Sequence, residues 1–130
     1  VFEGQARSWV RRFAEESTIG GFPDHVGPSA VTVDGVERQL DVVVATSDGQ
    51  ATDVSASERV ILAVGEAKAG ETVNGRHLRG LERARSALGA RAVDAKLLLF
   101  AICFSDELLD EADRRHDVEL VGLQRLYHGT

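Results

Sequence analysis

Two apolar runs in this chain carry charges where a buried strand ordinarily has none. Arg38-Gln39-Leu40-Asp41-Val42-Val43-Val44-Ala45 reads as a strand broken by one carboxylate. Val60-Ile61-Leu62-Ala63-Val64-Gly65-Glu66-Ala67-Lys68 reads as a second, closing on two charges of opposite sign. Strand side chains alternate faces, so Glu66 and Lys68 point one way and Ala67 the other. A charge held in such a run is expensive unless it is paired or bound to a metal. The chain must therefore build a sheet that brings these groups partners. If Asp41 faces the same way on a neighbouring strand, two carboxylates and a lysine converge on one small volume.

The rest of the sequence supplies helices to cover such a sheet. Phe2, Ala6, Trp9, Val10 and Phe13 recur at helical spacing, which predicts an amphipathic helix from Val1 to about Glu16, with Glu3 beside its apolar face. Gly20-Gly21-Phe22-Pro23 predicts a loop. Asp34-Gly35 between Ala30–Val33 and Val36–Ala45 is a two-residue hairpin signal. Thr46–Ser57 reads as a loop, Arg59–Lys68 as the third strand and Gly70–Asn74 as a connection. In Gly75–Leu88, Leu78, Leu81, Ala84 and Leu88 form a helical stripe. Lys96–Phe104 is a continuous apolar run, as expected of a central strand covered on both faces. Ser105 is placed to cap a helix reaching about His116, with Asp106 and Glu107 in its first turn. Val118–Val121 is a last short strand and Leu123–Tyr127 a terminal turn.

This order predicts one α/β domain over residues 1–130, a mixed sheet with helices on both faces. The step from the Glu-x-Lys strand to Lys96–Phe104 should be a right-handed parallel crossover. The chain contains no methionine and opens directly in a helical pattern, so a fragment of a longer protein is expected. No apolar run is long enough to span a bilayer, and no membrane partner is expected. The single cysteine, Cys103, excludes an internal disulfide; its apolar surroundings predict a buried thiol and a reduced, cytoplasmic setting.

The paired carboxylates and lysine suit metal-dependent phosphodiester hydrolysis. Asp41 and Glu66 offer hard oxygen ligands of the kind that magnesium or manganese takes, and Lys68 stands where it counters phosphate charge. The two lysines of the chain, Lys68 and Lys96, stand among thirteen arginines, so the one beside Glu66 is no accident of a lysine-rich composition.

In their order these elements and residues resemble the PD-(D/E)XK restriction-endonuclease-like superfamily, whose core is a helix, a three-stranded meander, a helix and a strand. The resemblance is closer to the domain found C-terminal to archaeal-type AAA ATPases, through Phe2-Glu3, Gln39-Leu40-Asp41-Val42-Val43 and Gly65-Glu66-Ala67-Lys68. Gln39 stands where that family usually has glutamate. The resemblance implies Asp41, Glu66 and Lys68 as catalytic residues. It adds the Ala67 carbonyl and Glu3 to Asp41 and Glu66 as metal ligands. It implies a nuclease acting on nucleic acid, DNA in preference to RNA, with an ATPase domain of the same parent chain as neighbour. The alternative is a catalytically inactive regulatory or docking domain that keeps the fold.

A formal net charge of −6 argues against binding nucleic acid by bulk attraction, so a local basic strip must supply the contacts. Arg76, Arg79 and Arg83 lie on one side of their helix, opposite the leucines, and are the candidates; a merely solvated face is the competing reading. Gly65–Thr72 imitates a phosphate-binding loop, but Glu71 stands where that loop needs lysine, so nucleotide binding is not expected. His25, His77, His116 and His128 show no metal-ligand spacing, and most read as surface residues, with His25 set apart in the loop before the hairpin. A structural alternative leaves Glu66 and Lys68 as an ion pair at a strand end, with Asp41 capping a backbone amide.

Overall fold

The computed structural model describes residues 2–13, 25–46 and 60–128. The elements are α1 (Phe2–Phe13), β1 (His25–Val33), β2 (Val36–Thr46), β3 (Val60–Val73), α2 (Gly75–Leu88), a 3₁₀ turn (Gly89–Ala92), β4 (Lys96–Phe104), α3 (Asp106–Asp113), β5 (Val118–Val121) and α4 (Leu123–His128). The loops expected at Gly20–Pro23 and within Thr46–Ser57 lie outside the described residues, apart from Thr46, which ends β2.

The five strands form one mixed sheet in the order β1-β2-β3-β4-β5. β1, β2 and β3 run antiparallel in turn, while β4 joins β3, and β5 joins β4, in parallel. The hairpin falls at Asp34-Gly35, both at positive φ (51° and 80°), the left-handed pair that a tight turn between twisted strands requires. Each parallel step is made through a helix, α2 and then α3.

Alternation along β4 divides the core between two faces. Leu97, Leu99 and Ala101 pack with Leu78, Leu81 and Ala84 of α2 and Leu108 of α3. Leu98 and Phe100 pack with Ala6, Trp9 and Val10 of α1 and Leu126 of α4. Helices thus cover both faces, as the order of elements predicts. Each fully buried leucine of α2 stabilises this arrangement by about 1.5–3 kcal/mol. Trp9 meets Phe100 edge-on, ring centroids 5.8 Å apart, and its Nε1 donates to the Arg125 carbonyl at 3.0 Å. At the other end of the core, the Ser105 hydroxyl accepts from the Leu108 amide, so α3 starts where the sequence places it.

Several expectations need correction. β1 begins at His25 instead of Ala30, and α3 ends at Asp113, short of His116. β3 does not end at Lys68 but continues to Val73, so Gly70–Asn74 is not a free connection. Its register against β4 shifts between Lys68 and Thr72, and the glycine marks an irregularity inside a strand instead of its end. Glu66 and Lys68 accordingly lie within β3, not at its end. Cys103 is exposed, because β4 runs on beyond Phe100, the last residue to pair with β5. Among the described residues, no helix is long and apolar enough to cross a membrane.

Candidate functional site

Glu66 is the one charged residue that is buried among those described. Val64, two positions earlier on β3, packs in the core beneath α2, and strand alternation sends Glu66 and Lys68 to that same face. There they line an open notch of about 350 Å³ with Arg38, Glu71, Arg76, His77, Gly80 and Arg83. Roomier hollows exist, one of about 510 Å³ against β1, but its lining mixes apolar side chains with His25 and Arg91 and holds no carboxylate.

The buried carboxylate has a partner that the sequence reading did not anticipate. Arg38 Nη2 lies 2.6 Å from Glu66 Oε1, reaching from β2 to β3. Its guanidinium rests against Gly80 in α2, where a Cβ would come 2.7 Å from Nη1 and 2.8 Å from Nη2. A glycine inside a helix costs about 1 kcal/mol relative to alanine, and here it gives the guanidinium its seat. An isolated glycine in an otherwise helical run was the available signal for such a close approach.

Asp41 marks a kink in β2. The register against β1 pairs Ser29 with Leu40 and Gly27 with Val43, so β2 carries one extra residue there. Leu40 consequently packs beneath α2 while Val42 packs toward α1. The β2–β3 ladder closes at Val42–Gly65, and Asp41 and Glu66 are the next residues beyond that pair. In place of a backbone carbonyl, Asp41 Oδ2 accepts from the Ala67 amide at 2.9 Å. Arg7 of α1 donates to the Asp41 carbonyl at 2.8 Å, which ties the helix to the same point.

The structure therefore gathers the sequence-derived residues in two sets. Glu66, Lys68, Arg76 and Arg83 share the notch. Asp41 and Ala67 are joined at the kink, next to Glu66 in the chain, with α1 bound to Asp41 through Arg7. Glu3 is half-buried one turn before Arg7, and a backbone hydrogen bond holds its carboxyl below the usual range; it does not line the notch. Arg79 goes elsewhere. Its guanidinium pairs with both Glu82 and Glu111, and these contacts raise its pKa further.

His77 is a further notch residue that the sequence reading set aside. Its side chain is only 11% exposed. The Asn74 amide donates to Nδ1 at 3.1 Å while the Asn74 side chain caps the start of α2. With Nδ1 accepting, the neutral ring carries its proton on Nε2, which lies 3.6 Å from Glu71 Oε1. Asn74-x-x-His77 is a variant of the capping box, legible in the sequence as a helix start but not as part of a site.

A divalent cation implied by the resemblance can be tested against this geometry. In an extended strand a residue's N–H and C=O leave on the same edge, so the Ala67 carbonyl faces the gap that Asp41 enters. Among the described residues no three His, Cys, Asp or Glu side chains gather as a metal site. The donor set therefore comes to the Asp41 and Glu66 carboxylates and that carbonyl, hard oxygens of the class that magnesium and manganese prefer. They fit such an ion. Glu66 already has a cation beside it in Arg38, which the ion must displace or accommodate. Compared with known proteins, the chain matches no family model, no curated protein and no solved structure.

Proposed function

We propose that this is a metal-dependent nuclease domain with a restriction-endonuclease-like core, acting on the phosphodiester backbone of nucleic acid, DNA in preference to RNA. The observation that carries this reading is the company Glu66 and Lys68 keep. In a chain of net charge −6, they share a notch with Arg38, Arg76 and Arg83. Four permanent cations against Glu66 and Glu71 leave a local surplus of two positive charges, which suits a polyanion. The antiparallel β1–β3 meander followed by a parallel strand supports the core arrangement.

In this reading Arg76 and Arg83 hold the backbone phosphates and set the strand's path across α2. Lys68 sits beside Glu66 and counters charge that develops on the scissile phosphate. Asp41, Glu66 and the Ala67 carbonyl hold the cation, which when bound neutralises the phosphate and makes water more acidic. An ATPase domain of the same parent chain is the proposed neighbour.

The second reading is a non-catalytic docking or regulatory domain, and the Arg38–Glu66 pair favours it by already satisfying the buried carboxylate. Labelled single- and double-stranded DNA and RNA, incubated with the protein in manganese or in chelator, separate the two. The nuclease reading expects cleavage only with metal, lost in Lys68→Ala and Asp41→Asn while binding persists. Binding without cleavage by the wild-type protein establishes the docking reading. Absence of binding at low salt with metal present favours the docking reading, in which the partner is the ATPase domain of the parent chain.

A further inference from the structure

Glu66 and Arg38 form an arrangement more elaborate than a structural ion pair needs. The Glu66 side chain is 10% exposed, and the Arg38 side chain, whose guanidinium meets it at 2.6 Å, is 29% exposed. Gly80 leaves room for that guanidinium in a helix interior, where glycine is disfavoured, and the three atoms nearest to the missing Cβ all belong to Arg38. Yet Arg38 is not fully satisfied in its seat, since its Nε is buried with no hydrogen-bond partner among the described residues. Its hold is one carboxylate and a space over the helix.

A buried carboxylate needs a cation, and Glu66 has two possible sources of one. One is Arg38, which meets it across the notch; the other is a divalent ion held with Asp41, which lies at the kink of β2 bonded to the Ala67 amide of β3. A guanidinium and a divalent ion on the same carboxylate repel each other, and the low dielectric of a buried position strengthens that repulsion.

We infer that Arg38 is the resident counter-ion of Glu66 in the metal-free protein and competes with the divalent cation for it. This rests on the metal-binding reading above. When the cation takes Glu66, the Arg38 guanidinium is released into a notch already lined by Lys68, Arg76 and Arg83, where it meets phosphate. Arg38 is thus a positioning residue for the metal site. It keeps the carboxylate paired and folded in without metal, and it sets the cation concentration at which the site fills.

Manganese affinity measures this directly, by loss of the free-ion paramagnetic resonance signal on titration with protein. Arg38→Gln removes the competing charge and should tighten manganese binding about tenfold. Gly80→Ala keeps the charge but crowds the guanidinium off its seat, and should tighten binding by a smaller factor. It also decides the matter if Arg38→Gln does not fold. In metal-free buffer Arg38→Gln should melt below wild type, and manganese should raise its melting temperature more than that of wild type. Asp41→Asn should weaken manganese binding in every background. Equal or weaker binding by both variants, with the wild-type protein still binding manganese, overturns the role of Arg38 and leaves the metal site standing. Loss of manganese binding in wild type and variants alike overturns both.

Discussion

The arginines of α2 enter two different charge clusters. Arg79 and Arg85, with Arg115 from beyond α3, face Glu82, Glu111 and Asp117. Three cations meet three carboxylates, and the bonds link α2 to α3 and to the approach to β5. The Arg115 guanidinium, with Arg85 beside it, holds the Asp117 carboxyl well below the usual carboxylate range against the opposing effect of burial. Glu111 is lowered in the same way by Arg79 and then Arg115. In the notch, Arg76 and Arg83 join Arg38 and Lys68 against only Glu66 and Glu71. The first cluster is balanced and spends its charge on itself. The second has two more cations than carboxylates among the residues that line it. Sequence position on one helix face does not distinguish Arg79 from its neighbours; the presence of Glu111 on α3 does.

The sharpest way to break this contrast is to remove the centre of the balanced cluster. Arg115→Ala strips a partner from Glu82, Glu111 and Asp117 together and should cost about 2 kcal/mol in chemical denaturation, given partial exposure of the group. Arg83→Ala should stay within about 0.5 kcal/mol of wild type, as expected for an exposed side chain outside any such network. Comparable losses in both would mean that the notch is structural too.

Binding gives the reverse contrast. Arg76→Ala and Arg83→Ala should each lower the salt dependence of oligonucleotide binding by about one unit of log–log slope, the effect of one lost phosphate contact. Arg79→Ala should leave that slope unchanged, because Glu82 and Glu111 already neutralise its guanidinium. An equal fall for Arg79→Ala would return it to the basic strip.

The smallest effect is in acid. Because the folded-state pKa of Asp117 is depressed, its stabilising contribution is present above the unfolded value of about 3.9 and disappears as pH falls toward the folded value. Asp117→Asn should therefore flatten the fall in melting temperature below about pH 4 and lower stability at neutral pH. An unaltered acid profile would show that Asp117 is not strongly paired in solution.

Much of this fold is legible in the chain because its signals are local. Leu78, Leu81 and Ala84 repeat at helical spacing and are all buried; Asp34-Gly35 accepts the positive φ of its hairpin. The candidate site was legible in part. Glu66 and Lys68 share a face by strand alternation alone, and Arg76 and Arg83 reach the same notch because their helix follows that strand. Arg38 and His77 were not visible as site residues. Arg38 depends on the gap over Gly80, and His77 depends on its bond with Asn74, which the sequence presents only as a helix start.

Gly70 shows why local signals mislead. A glycine before a polar stretch reads as the end of a strand, yet β3 absorbs it in a register shift and pairs again through Thr72 and Val73. Exposure of Cys103 likewise follows from the shorter length of β5, a property of its neighbour. The sequence by itself determined the α/β order, the two apolar faces and the charges embedded in β2 and β3, since periodicity and residue type act within a few positions. Tertiary structure decided which charge answers which. An ion pair forms where two chain segments bring their side chains within bonding distance, so the assignment of Arg38 to Glu66, of Arg79 to Glu111 and of Asp41 to the Ala67 amide depends on sheet register and helix packing.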